Sequence, residues 1–228
     1  MDRFDDGLTR VNTGYGRPRF SRLELRDILI SVAVLAIAFA LIYRSGSVMD
    51  YLGWRTGSET AAFACLLGLS ALLVVVSFLF HEFGHKFTAQ RAGLWSEYRM
   101  YPMGLVLSLV MSFLGFLFAA PGAVYIHGNM DARTNGRVSI AGPVVNIVLA
   151  GIGIAGCFAT NHTPLVFVFI MLANLNAFLA VFNLLPIPPL DGSKVLTWNK
   201  AVWVCAMGAA ALELVYLMGG FMPALYWA

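Results

Sequence analysis

Residues 70–93 read SALLVVVSFLFHEFGHKFTAQRAG. The chain runs without a charge or a turn signal as far as Phe80 and then places His81, Glu82 and His85 on the same apolar segment. On an α-helix, positions i and i+4 lie on one face about one turn apart. His81 and His85 therefore point toward a common centre, with Glu82 on the neighbouring edge. An ionisable group inside a membrane helix costs about 2.5–3.5 kcal/mol or more and marks function by default. A purely structural reading, two buried imidazoles bonded to backbone carbonyls, leaves that cost unexplained. HEFGH is an instance of the H-E-x-x-H pattern, in which the two imidazoles hold a metal ion and the carboxylate holds a water on it.

The rest of the chain supplies the membrane. Of its 228 residues, 59% are apolar and 12% are charged. A soluble domain carries about 25% charged residues, so this chain lacks the polar surface to cover itself in water. The mean hydropathy of +0.76 agrees. The reading is an all-α polytopic membrane protein. Residues 1–27 form a polar tail in which six arginines are diluted by acidic residues. The basic residues cluster at predicted membrane edges, so the net charge of +3 is read as topology and not as nucleic-acid binding. Cys65, Cys157 and Cys205 are dispersed in apolar runs and suggest neither a disulfide framework nor a thiolate metal site.

Apolar stretches at 28–43, 61–80 (helical to about Gln90), 103–120, 138–158, 165–185 and 201–221 give five or six transmembrane helices. Positive charge favours the cytoplasmic side. The arginine-rich N-terminus, Lys86 with Arg91 and Arg99, Arg133 with Arg137, and Lys194 with Lys200 all fit that side. If so, residues 103–126 start and finish on one side. They form a re-entrant or short β element between the second and third full spans, with short strands around Val124–His127. An ordinary sixth crossing is the competing reading.

A catalytic zinc has three protein ligands and one open position, so two histidines require a third partner. Glu97, His127, Asp131, His162 and Asp191 are the candidates. His162 belongs to the opposite side by the charge rule, and Glu97, His127 and Asp131 sit at edges or in loops where charge is cheap. Asp191 follows FNLLPIPP at the inner end of the 165–185 span. Its prolines cannot continue a helix and would turn Asp191 back into the bundle. His81, His85 and Asp191 make the best triad.

HEFGH in one span, AGPVVN (residues 141–146) opening a later one and NLLPIPPLDG (residues 183–192) closing another occur in that order. In this the chain resembles the site-2 protease family, the intramembrane zinc metalloproteases. The motifs frame residues 81–192, about half the chain. The resemblance implies one Zn2+ per chain held by His81, His85 and Asp191, with Glu82 as catalytic base. Asn183 matches the asparagine associated with substrate or oxyanion binding, and Asn146 that of the GPxxN motif. The protease domain is expected over residues 28–228, behind a tail that the charge rule places in the cytoplasm, and the lack of a targeting signal reads as a prokaryotic cell membrane. The partners would be the lipid bilayer and transmembrane protein substrates, with no nucleic acid. No PDZ-like domain is inserted, so substrate selection would fall to the tail, the loops and residues 103–126. GAVYIHG (residues 122–128) is the candidate strand for holding an unwound substrate by edge pairing.

Two other classes compete. An inactive metal-binding relative would keep zinc and lack the base, which the intact Glu82 argues against. A metal transporter would carry ionisable groups along several spans, whereas here Glu213 is the exception in otherwise apolar helices.

Overall fold

The structure, a computed structural model, describes residues 20–44, 58–115, 121–160 and 163–219. Most of the expected tail, His162 and part of the 103–126 segment lie outside these residues. Helix α1 is Arg22–Arg44. Helix α2, Glu59–Val74, runs through one wide π turn at Val75–Leu79 into α3, Phe80–Arg91. Strand β1 is Trp95–Met100, α4 is Pro102–Phe113 and β2 is Gly122–His127. Four helices follow: α5, Ala132–Ala159; α6, Leu165–Leu184; α7, Asp191–Trp198; and α8, Lys200–Met218.

Among the described residues, five helical rods are long and apolar enough to cross a membrane: α1, the 33-residue rod Glu59–Arg91, α5, α6 and α8. Their outward faces carry large apolar side chains such as Leu29, Val148 and Leu212, as a lipid-facing bundle requires. Helix α5 is central and packs on α3, α6, α7 and α8, while α1 packs on α2, α4 and β1. The two groups meet in an apolar cluster of Leu35 and Phe39 from α1, Leu73 and Val74 from α2, Leu105 from α4, and Met171 and Leu175 from α6.

The register of the sheet decides between the two readings of residues 103–126. Strands β1 and β2 are antiparallel, with Met100 opposite Gly122 and Trp95 opposite His127. The chain leaves β1 into α4 and is back beside its starting point at Gly122, so the segment has no net displacement and cannot be a single crossing. Helix α4, with 12 residues, is about 18 Å long at 1.5 Å per residue, short of the ~30 Å apolar thickness of a bilayer.

Strand β2 lies where short strands are expected; β1 is new. Tyr98 of β1 is fully buried and its hydroxyl donates to Ser31 Oγ at 2.9 Å. The start of α1 also differs. Its first turns take up Arg22–Asp27, the end of the polar stretch, because Glu24 and Asp27 are buried against β1. The Tyr98 amide donates to Glu24 Oε1 at 2.9 Å and the Met100 amide to Asp27 Oδ2 at 3.4 Å. Glu24 also receives Lys86 Nζ at 2.6 and 2.8 Å, and the same ammonium reaches Ser96 O at 3.1 Å. The N-terminal helix is thereby fastened to both the hairpin and α3.

Candidate metal centre

Helix α3 presents its two histidines at a point where the backbones of α3 and α5 nearly touch. A methyl group on Gly84 would lie 2.9 Å from Ala141 O, inside contact distance. A methyl group on Gly142 would meet His85 Nε2 and would lie 2.7 Å from His81 Nε2. The glycines of HEFGH and AGPVVN therefore allow the crossing and leave room for the imidazoles.

Each ring is fixed through its Nδ1. His85 Nδ1 donates to Val138 O of α5 at 2.8 Å, and His81 Nδ1 donates to Asn146 Oδ1 at 2.5 Å. In a neutral imidazole one nitrogen donates and the other keeps a lone pair. With both Nδ1 atoms spent on acceptors, both Nε2 lone pairs face inward, 3.0 Å apart. The chain turns at Pro186, Pro188 and Pro189 and starts α7 on Asp191, whose Oδ2 lies 3.1 Å from His85 Nε2 and 3.5 Å from His81 Nε2.

These donors fit zinc. Tetrahedral zinc with bonds of ~2.0–2.1 Å separates its ligand atoms by about 3.3 Å, and separations of 3.0, 3.1 and 3.5 Å bracket that value. Two bare nitrogens and a carboxylate repel one another at such distances unless a cation is shared. Among the described residues, this is the group of three metal-ligating side chains that converges.

Glu82 is buried on the same helix, between His81 and His85, and its Oε2 accepts the amide of Val124 in β2 at 3.1 Å. Val124 and Tyr98 are opposite one another in the sheet, and both turn their amides outward, Val124 to Glu82 and Tyr98 to Glu24. The pair is therefore of the non-hydrogen-bonded kind, and the outer edge of β2 faces the side of α3 that carries Glu82.

The remaining sequence candidates sit elsewhere. Glu97 pairs with Arg99 on β1. His127 packs against Trp95 with ring centroids 5.1 Å apart and the ring planes tilted by 44°. Asp131 is exposed and caps α5, accepting from the Thr134 amide at 2.8 Å. Asn183 donates its side-chain amide to Leu179 O of its own helix at 2.9 Å. Asn176 and Ser77, both fully buried, escaped the sequence reading, although Asn146 Nδ2 donates to Asn176 Oδ1 at 2.7 Å and to Ser77 O at 2.9 Å. A polar amide at Asn176 inside an apolar span was the available signal.

Three proteins bearing the name "Putative zinc metalloprotease" are similar to this chain. MJ0611 of Methanocaldococcus jannaschii is 34% identical over 212 residues, covering 92% of this chain and 98% of that protein. Rip2 of Mycobacterium tuberculosis is 34% identical over 207 residues, covering 77% and 79%. YwhC of Bacillus subtilis is 33% identical over 153 residues, covering 58% and 68%. No protein-family model and no solved structure matches. With the identity to MJ0611 sustained along nearly the full length of both proteins, the chain belongs to the site-2 protease family of zinc metalloproteases.

Proposed function

We propose that this membrane metalloprotease is an intramembrane endopeptidase, cutting peptide bonds in or near the transmembrane segments of other membrane proteins. The observation that carries the reading is the convergence of His81, His85 and Asp191 beside Glu82, inside a bundle whose outer surface is apolar. A soluble protease has no use for such a girdle.

His81, His85 and Asp191 would hold one Zn2+, which when bound lowers the pKa of a water to about 7 and polarises a scissile carbonyl. Glu82 takes the water's proton and returns it to the leaving amine. By the family resemblance Asn183 would share the negative charge that develops on the carbonyl oxygen, through the side-chain N–H that Leu179 O does not take. A substrate helix hides its peptide bonds in its own hydrogen bonds and must unwind first. The outer edge of β2, whose Val124 amide already meets Glu82, offers backbone partners to the opened segment. The protease domain is residues 28–228, and the first turns of α1 that precede it, Arg22–Asp27, are fastened to the hairpin and α3. The N-terminus is on the cytoplasmic side of a prokaryotic cell membrane, which puts the hairpin, His85 and Asp191 toward the cytoplasm.

The test is reconstitution in liposomes with a panel of single-span substrates and an unfolded soluble polypeptide as comparison. The expected result is cleavage mapped to the apolar segment in wild type and none with Glu82→Gln. Cleavage of the soluble polypeptide alone would overturn the intramembrane assignment. Zinc binding without cleavage of either, in wild type and Glu82→Gln alike, would instead support an inactive metal-binding relative.

A further inference from the structure

We propose that Asn176, acting through Asn146, is a positioning residue for His81: it locks the ring as the Nδ1–H tautomer with Nε2 turned to the metal. The proposal rests on the reading of His81, His85 and Asp191 as zinc ligands. It assigns a task to two helix-buried asparagines that have no place in the hydrolytic step.

The direction of every hydrogen bond in the network is forced. Asn176 Nδ2 lies 2.8 Å from Leu172 O, a backbone carbonyl that only accepts, so that end of the side chain is the amide nitrogen. Its second N–H goes to Ser77 Oγ at 2.8 Å. Asn176 Oδ1 is then left to accept, and it takes Asn146 Nδ2 at 2.7 Å. Asn146 Nδ2 also gives a proton to Ser77 O at 2.9 Å, another pure acceptor, so both N–H groups of Asn146 are spent. Its Oδ1 faces His81 Nδ1 at 2.5 Å and can only accept. His81 must donate from Nδ1, and its Nε2 is left with a lone pair for the ion.

Burial makes the lock effective. Ser77, Asn146 and Asn176 are each 0% exposed, so water has little opportunity to replace a lost partner. The network joins three rods: Ser77 lies in the wide turn that precedes α3, Asn146 in α5 and Asn176 in α6. A π turn inside a helix often marks a functional site, and here it brings both polar groups of Ser77 to the two asparagines. The two histidines differ in one respect. His85 is oriented by the Val138 carbonyl, which no side-chain substitution removes, whereas His81 depends on a chain of side chains and can be mistuned alone.

The experiment uses the full chain in detergent and reads metal binding rather than cleavage. Zinc affinity is measured by competition with a chelator, and the absorption spectrum of the Co2+-substituted protein reports the ligand field. Substitution of such outer partners costs about 10–100-fold in metal affinity. Asn176→Leu and Asn146→Ala are each expected to weaken zinc by about that factor and to alter the Co2+ spectrum. Asn176→Asp, protonated in its buried site, can still accept from Asn146 and donate to Leu172 O, and is expected to restore both readouts. Wild-type affinity and spectrum in Asn176→Leu would overturn the proposal, as would equal losses in Asn176→Leu and Asn176→Asp. If Asn176→Leu does not fold, Asn176→Asp beside Asn146→Ala carries the same comparison: an unchanged spectrum in Asn146→Ala refutes. Asp191→Ala separates the two failures, since zinc retained in full by that variant would remove the triad itself.

Discussion

Lys86 follows the second metal-site histidine and is fully buried, as is its partner Glu24. Replacing Lys86 by methionine keeps the unbranched apolar stem of the side chain and removes the ammonium group. Glu24 then loses two contacts, at 2.6 and 2.8 Å, and keeps the Tyr98 amide at 2.9 Å as its remaining described donor. Ser96 O loses the ammonium as well. Removing one member of a buried ion pair costs about 3–5 kcal/mol, because the other charge stays behind uncompensated. For a chain of this size, about 2–4 °C of Tm per kcal/mol translates this into a fall of about 6–20 °C. Glu24→Gln combined with Lys86→Met leaves no charge behind. The carbonyl oxygen of the substituted amide can still accept from Tyr98, so the double variant should recover most of the loss. Thermal unfolding of the detergent-purified protein measures both. A Lys86→Met loss below about 1 kcal/mol, well under the buried-pair range, or a double variant no better than the single one, would refute the claim that this pair fastens α1 and β1 to the zinc helix.

Four further outcomes follow from the site. Gly142→Ala should abolish stoichiometric zinc binding by pushing a methyl group against both Nε2 atoms, and bound zinc equal to wild type by elemental analysis would contradict that packing. Glu82→Gln should keep zinc while cleavage falls by about 10²–10⁴, the range for a general base; a substantial residual rate on the same substrate would remove Glu82 from that role. Asp191→Ala should lose most of its zinc on gel filtration with a mild chelator, and full retention would place the third ligand elsewhere. Ile126→Pro should depress cleavage and spare zinc: residue 126 shares the outward phase of Val124, so proline strikes the proposed substrate edge, and unchanged cleavage would dismiss edge pairing.

The parts of the site that were legible in the sequence are those encoded by local spacing or by a conspicuous break. His81 and His85 share a face because four residues make about one helical turn, and no tertiary information is needed. Asp191 stands far along the chain, yet the three prolines before it announce the break that precedes α7. The hairpin was half legible. Gly122–His127 reads as a strand by its composition, whereas Trp95–Met100 mixes Ser, Glu and Arg with aromatics and becomes a strand only because β2 returns to it across α4. Glu24 and Asp27 read as members of a polar tail, since nothing local distinguishes an acidic residue in solvent from one that accepts a strand amide. Asn176 was hidden for the opposite reason: it is one of three asparagines in its apolar span, with Asn174 and Asn183, and nothing local singles it out until its partners on two other rods are known.

The hairpin gains its significance from what lies on its two sides. A two-stranded sheet has two outer edges, and a substrate in extended form could in principle add to either. On the β1 side, Glu24 and Asp27 accept the amides of Tyr98 and Met100, and α1 covers the strand. On the β2 side, the amide of Val124 points at Glu82, and no carboxylate of α1 intervenes among the described residues. The same acidic side chains that bind α1 to the protein therefore leave β2 as the edge beside the proposed catalytic glutamate. An extended segment paired there would run alongside α3, where the triad converges, whereas one paired to β1 would be held on the far side of the sheet. Under the proposed function, the buried carboxylates of α1 would thus act on substrate geometry at a distance: they take no part in hydrolysis, and by occupying the β1 amides they would leave the β2 edge for a peptide to pair with.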